Sequence, residues 1–293
     1  MSDASAADTA ELSRIFEPVV GTVTLRASDS GRQADFYARA IGLQPSDEEV
    51  GAIELRAAPG DPLLRLDSSQ AAGSKPAEQR YTGLFHVAYR YPDRASLGAA
   101  VKRTAELAPM YEGASDHGVS EAVYFRDLEG NGIELYRDRP FDQWPAAEPG
   151  RVGMYTQPLD LAALVAEADE SEGAAKVDIG HIHLQVSDVE ATLAFWRDLV
   201  GLDERQRFGQ QAIFLAEGLY HHHIGANTWH SAGAEPIPGE RPGLDSFELR
   251  LTSARQVDTA AARLEEGRVE LASDGGHVTF QDPDSNRVIL RAR

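Results

Sequence analysis

An internal repeat constrains this chain more than any other feature. Residues 20–43 lie over residues 179–202 at a constant offset of 159. Thr22-Val23-Thr24-Leu25-Arg26-Ala27-Ser28-Asp29 falls on His181-Ile182-His183-Leu184-Gln185-Val186-Ser187-Asp188, and Phe36 to Leu43 falls on Phe195 to Leu202. A second correspondence joins Asp127-Leu128-Glu129-Gly130-Asn131-Gly132-Ile133-Glu134 to Asp282-Pro283-Asp284-Ser285-Asn286-Arg287-Val288-Ile289. Similarity at this scale means two related halves, and 293 residues suffice for two domains of ordinary size. The halves differ where chemistry could reside: Thr22 answers to His181, and Ile289 answers to Glu134.

Each half reads as two βαβββ units. Val20 to Ala27 alternates with period two and carries β-branched residues, as a strand does. Ser28-Asp29 suits a helix N-cap, and Phe36, Tyr37, Ala40 and Ile41 have helical spacing up to Gly42. Short strands follow at 51–57 and 63–66. The cycle restarts at Gly83 to Arg90, continues as a helix over 96–107, and closes with strands at 122–126 and 132–136. The predicted fold is α+β, with a first domain over 18–140, a linker over 141–177 and a second domain over 178–293. Residues 1–17 read as a polar arm with a little helix, and Leu161–Ala175 as an acidic, Ala-rich linker stretch able to form one.

Composition removes several classes of function. There is no cysteine, so disulfides, thiolate metal sites and thiol nucleophiles are excluded, and any metal must be held by nitrogen and oxygen. A net charge of −19 opposes binding to nucleic acid, whose phosphates need a basic footprint, and to anionic membranes. The excess acid is spread along the chain, as on a solvated surface or in a salt-adapted host. No run approaches the roughly 18 apolar residues of a membrane span. Met1 to Asp8 lacks a basic, apolar leader, so a cytoplasmic location is expected. Oligomeric state is left open, including a homo-oligomer.

Counting back from the turn after each opening strand fixes a common frame. His181 lies six residues before Ser187, and His86 six before Pro92; the other two opening strands carry Thr22 and Ser246 there. On the closing strands Glu134 corresponds to Ile289. The four units therefore supply one set of His86, His181 and Glu134, and one vacant set of Thr22, Ser246 and Ile289. Two histidines and one carboxylate form the facial triad of non-haem Fe(II) oxygenases, which leaves three coordination positions open for substrate and dioxygen. A single histidine is more often a hydrogen-bonded structural residue; three matched positions with a complementary blank favour a metal. His183 shares a strand face with His181, and only the counted frame prefers His181.

Together with Gly180-His181-Ile182-His183, Tyr220-His221-His222-His223-Ile224-Gly225, Gly83-Leu84-Phe85-His86, His117-Gly118 to Phe125, and Gly130-Asn131-Gly132-Ile133-Glu134, the chain resembles the vicinal oxygen chelate superfamily, in its extradiol (catechol 2,3-dioxygenase) branch. The similarity covers nearly all of residues 18–293 apart from the linker. It implies curved, mostly antiparallel sheets forming U-shaped clefts. It also implies an acid/base role for His222, in the His-x-Ile/Leu-Ala/Gly pattern, and roles for His117 and Tyr124 ahead of the ligand Glu134. The His117-to-Tyr124 spacing is shorter than in the best-known members. The branch usually draws both histidines and the glutamate from one domain. Here they are split, as in a fused version of the superfamily's swapped dimers, so the second unit of domain 1 is expected to pair with the first unit of domain 2.

The expected activity is ring cleavage of a catechol by dioxygen with Fe(II), with Mn(II) open as an alternative. Competing readings are a glyoxalase-like lyase or isomerase without a redox step, and a non-catalytic small-molecule binder. Read on a strand, His221-His222-His223 places His222 on one face and its neighbours on the other. Trp144 and Trp196 suit packing, and Trp229 suits packing or an aromatic pocket. Asp127 to Gly132 reads as a hairpin loop.

Overall fold

The computed structural model describes residues 15–17, 19–49, 51–57, 60–75, 80–169 and 176–293. The arm expected at 1–17 falls almost wholly outside them. Four helices start in the same way. Asp29, Asp93, Asp188 and Ser253 each precede a helix and accept a hydrogen bond from a first-turn backbone N–H, satisfying donors that have no partner within the helix. The helices are α1 (Ser30–Ala40), α2 (Arg94–Leu107), α4 (Val189–Ala194) and α5 (Ala254–Glu266). Because Asp93 is the cap, α2 begins two residues before the predicted start. Gly42, at φ 92°, closes the first cap-to-turn segment in a left-handed conformation that a side chain disfavours.

Four βαβββ units result. The first carries β1 (Val20–Arg26), β2 (Gln44–Glu49), β3 (Ala52–Arg56) and β4 (Leu64–Asp67); the second carries β5 (Gly83–Arg90), β6 (Met110–Asp116), β7 (Ser120–Arg126) and β8 (Gly132–Asp138). After β9 (Gln157–Pro158) and the short α3 (Leu161–Ala166), the third carries β10 (Asp178–Gln185), β11 (Asp203–Phe208), β12 (Ala212–Ala216) and β13 (Ile224–Asn227). The fourth carries β14 (Gly243–Leu251), β15 (Ala272–Asp274), β16 (His277–Gln281) and β17 (Arg287–Ala292). The linker helix is shorter than the predicted stretch, whose residues 170–175 lie outside those described.

The sheets do not follow the halves of the sequence. One sheet has the order β15-β16-β17-β14-β1-β4-β3-β2 and joins the fourth unit to the first; the other, β11-β12-β13-β10-β5-β8-β7-β6-β9, joins the third to the second. Pairing is mostly antiparallel, with one parallel pair inside each unit. Both joints, β1–β14 and β5–β10, are antiparallel. A shared core draws Val23, Leu25 and Phe247 from one sheet, Val87, Leu135 and Ile182 from the other, and Tyr37, Leu97 and Trp196 from the helical layer. Burial of that apolar surface holds the crossed halves together. No described helix is long and apolar enough to cross a membrane.

Candidate metal centre and its cavity

The β5–β10 joint positions the site. Its register pairs His183 with His86, Ile182 with Val87, and His181 with Ala88, and two bulges flank that stretch. Gly180 is the extra residue on β10, between the pairs Ile179–Tyr89 and His181–Ala88. Phe85 is the extra residue on β5, between the pairs His183–His86 and Leu184–Leu84. Such bulges re-aim side chains, so consecutive Phe85 and His86 both reach the cavity. On its other side β5 runs parallel to β8, with Ala88 opposite Glu134, and Tyr124 of β7 lies opposite Glu134 in turn. His181, Ala88, Glu134 and Tyr124 thus form one row across four strands. The methyl of Ala88 leaves the space between His181 and Glu134 clear.

His86 Nε2 lies 2.8 Å and His181 Nε2 3.0 Å from the same oxygen, Glu134 Oε2. The three ligand atoms lie within 4.8 Å of one another, and all three residues are buried. His86 Nε2 is close to the carboxylate but lacks hydrogen-bond geometry, and is buried with no partner. A nitrogen in that state suits a lone pair aimed at an ion. Two imidazoles and a carboxylate on one side of a cavity fit a divalent first-row metal. Burial opposes ionisation of Glu134, but the facing His181 and His86 outweigh it and hold its carboxyl well below the usual range. Burial pushes His181 down to about 4, against the pull of Glu134, so its imidazole is neutral at pH 7 as a ligand must be.

His183 is brought to the cavity but not into the cluster. Asn227 Nδ2 donates to its Nε2 at 3.0 Å, and its ring lies over Gly225, where an added Cβ would come within 2.8 Å of Nδ1. His222 packs against His181 with ring centroids 4.0 Å apart and the rings tilted by 45°. His117 donates from Nδ1 to the carbonyl of Tyr155 at 2.8 Å, leaving Nε2 to accept from the Tyr124 hydroxyl, also at 2.8 Å. Burial and the facing Glu134 raise the Tyr124 phenol well above its ordinary value, so the hydroxyl keeps its proton. A cavity of about 450 Å³ connects His86, Glu134, His181, His183, His222, His117 and Tyr124. Apolar Phe85, Met154, Phe208, Phe214 and Trp229 also line it, with polar Glu112, Arg126 and Thr156 among them.

Two sequence expectations need correction. The run His221–His223 precedes β13 in a turn and is buried throughout, so strand alternation does not apply. The linker is also more than a crossing: Val152 N and the Gln206 side chain tie it to β11, Met154 lines the cavity, and Tyr155 holds His117. Trp229 lines the cavity and is 40% exposed, Trp196 is core, and Trp144 packs against Phe16, Tyr220 and His221. Sequence reasoning missed Asp138, which accepts from His221 Nε2 at 2.8 Å and from the Tyr220 hydroxyl at 2.9 Å. The only advance signal was a carboxylate four residues beyond Glu134.

The family model of the Glyoxalase/Bleomycin resistance protein/Dioxygenase superfamily matches residues 19–135 and 178–290. The chain belongs to this superfamily. Within it, a catechol-2,3-dioxygenase of Bacillus subtilis (strain 168) is 36% identical over 274 residues, spanning 92% of this chain and 95% of that protein. A manganese-dependent 2,3-dihydroxybiphenyl 1,2-dioxygenase of Geobacillus genomosp. 3 is 33% identical over 85 residues, 29% of this chain and 24% of that protein. Among solved structures, a putative dioxygenase from Bacillus subtilis subsp. subtilis str. 168 superposes with a TM-score of 0.57 at 12% identity, over 94% of this chain and 86% of its own. Glyoxalase I from Zea mays gives 0.57 at 12% identity, over 94% and 92%. These two likenesses concern the fold alone.

Proposed function

We propose that the chain is an extradiol ring-cleaving dioxygenase acting on catechol or a substituted catechol, with one divalent metal site shared between the sequence halves. The convergence of His86, His181 and Glu134 at the floor of an aromatic-walled cavity carries this reading. The long similarity to a catechol-2,3-dioxygenase supports it. His86, His181 and Glu134 are the proposed ligands, with Fe(II) the proposed ion and Mn(II) the alternative. When bound, the ion would bring diol and dioxygen together and pass electron density between them.

The protein's own residues have separable tasks in this reading. His222 handles a proton at the diol or at the developing oxygen anion, beside the ligand His181. Tyr124 hydrogen-bonds a substrate oxygen, its single retained proton turning from His117 Nε2 to that oxygen when substrate binds, and His117 assists proton transfer at ring opening. Phe85, Phe214 and Trp229 bind the ring and exclude water. The apolar side chains of the lining favour an aromatic ring. Metal analysis of anaerobically purified protein, with oxygen uptake on catechol, tests the proposal. Near-stoichiometric iron and one dioxygen consumed per catechol are expected. Turnover of a substrate without oxygen would replace the proposal with a lyase or isomerase, and binding without turnover would reduce it to a binding protein.

A further inference from the structure

His222 does not stand alone in the wall. Its Nδ1 lies 2.8 Å from Nδ1 of His221, whose Nε2 lies 2.8 Å from Asp138 Oδ1. His221 is fully buried, and Trp144 and Tyr220 cover its ring at centroid distances of 5.4 and 4.0 Å. Asp138 is itself fixed: Tyr220 donates to its Oδ2 at 2.9 Å, and Arg90 Nη1 lies 3.3 Å from the same oxygen. Tyr136 donates in turn to Tyr220 at 2.7 Å. A fixed carboxylate, one histidine behind another, and a cavity in front make a directional chain.

Resting on the acid/base reading of His222 above, we infer that Asp138 and His221 are positioning residues that set the tautomer of His222. An ionised carboxylate can only accept, so the Asp138 contact holds a proton on His221 Nε2, and in the inferred chain the other ring nitrogen of His221 is bare. His221 Nδ1 then carries a lone pair and can only accept. The contact between the two Nδ1 atoms therefore requires the His222 proton on Nδ1. His222 Nε2 is left unprotonated toward the cavity, ready to take a proton from a diol hydroxyl. Without the chain, a free imidazole would distribute between tautomers and rotate, and only part of the population would offer a base. A partner on one ring nitrogen selects the form of the other.

The tautomer can be read directly. In protein with ¹⁵N-labelled histidine, loaded with diamagnetic Zn(II), long-range ¹H–¹⁵N ring correlations should show His222 neutral with its proton on Nδ1. His222 protonated on Nε2, or cationic, near pH 7.5 would overturn the inference without any variant being made. His221→Phe should release the tautomer and lower kcat on catechol about 10- to 100-fold, as loss of an orienting partner does, with metal content and KM little changed. His221→Asn keeps an acceptor oxygen where Nδ1 stood and should recover both the Nδ1–H tautomer and most of kcat. Equal rates in wild type and a folded His221→Phe protein would also overturn the inference. Failure of the underlying reading looks different: His222→Phe would then retain full activity whatever tautomer the spectrum shows.

Discussion

Gly180 precedes the proposed ligand His181 and sits on the bulge that aims it. A Cβ built there would fall 1.6 Å from Tyr136 Oη, 2.8 Å from its Cζ and 3.2 Å from Tyr220 Oη. Non-bonded heavy atoms settle near 3.5 Å, so Gly180→Ala requires a displacement of roughly 2 Å. Tyr136 cannot yield cheaply, because it is fully buried and bonded to Tyr220. Overpacking costs about 1–3 kcal/mol, and stranding a buried hydroxyl about 1–3 more, giving an expected loss of about 4 kcal/mol. Tyr136→Phe removes the closest atom and one hydrogen bond, while Tyr220 keeps its bond to Asp138, so it should cost about 1 kcal/mol alone. The double variant should then lose only about 2–3 kcal/mol, less than Gly180→Ala alone. Equilibrium urea unfolding of the metal-free full chain measures all three losses. Additive losses, or a Gly180→Ala loss under about 1 kcal/mol, would refute the reasoning, since the clash must couple the two sites.

The remaining predictions address the site, its protons and its assembly. His86→Ala, His181→Ala and Glu134→Ala should each abolish tight metal binding in folded protein while His183→Ala keeps the metal, as elemental analysis will show; iron retained at full stoichiometry in Glu134→Ala would remove that ligand. His222→Phe should keep metal and bind catechol but lose roughly 10²–10⁴-fold in ring cleavage, and loss of metal instead would make His222 a ligand. Metal-free protein should lose stability as pH falls from about 6.5 toward 5, seen as a falling Tm. Burial holds His183, His222 and His223 well below their ordinary value and His181 at about 4, so the unfolded chain takes up protons that the fold refuses, at about 1.4 kcal/mol per pH unit for each proton. Asp282, pushed up to about 7 by burial, opposes this, as do Asp127 and Asp284, which burial also raises, so four histidines stand against three carboxylates and stability rising on acidification would contradict the balance. A chain cut between Asp169 and Lys176 should give fragments that are inactive singly and regain metal and activity on co-expression, because the β1–β14 and β5–β10 joints each need both; an active C-terminal fragment would refute the shared site.

The repeat made the four units legible, and local turn chemistry the cap at Asp29; Asp93, Asp188 and Ser253, not read as caps from the sequence, act in the same way on their own helices. It also made the pairing of His86, Glu134 and His181 legible, since a counted frame survives any register that respects strand periodicity. Strands β2 and β6 were not legible: Gln44–Glu49 is polar and Met110–Asp116 lacks alternation, and both owe their strand state to a neighbour in the sheet. The bulges at Gly180 and Phe85 were hidden because they arise from the joint between distant strands. The same holds for Asp138 and His221, which are 83 residues apart, and for Met154, where the linker folds back onto the cavity. Periodicity reports a residue's own element, and these roles depend on what another element brings to it.

The vacant half of the repeat shows what the site would be without its task. Ser246 of β14 stands where His86 stands, Thr22 where His181 stands and Ile289 where Glu134 stands, and the ladder is the same: Glu248 lies opposite Ile289 as Ala88 lies opposite Glu134. Glu248 thus fills the position that Ala88 leaves clear. Its carboxylate takes Arg250 Nε at 2.7 Å and also meets Arg291, while Asp61 holds both arginines at 2.8 Å. Gly21, the counterpart of Gly180, makes room for this group, since a Cβ there would come within 2.6 Å of Glu248 Cδ. One sheet uses a glycine bulge to admit an ion-pair cluster. The other uses the same bulge to admit Tyr136, keeps Ala88 small, and leaves three ligand atoms facing an open cavity. Ion pairs satisfy each other's charge within the protein, whereas His86 Nε2 is left buried without a hydrogen-bond partner beside the carboxylate that His181 engages. The same strand register with opposite outcomes at position 88 and position 248 therefore fits the binding role proposed for the cluster.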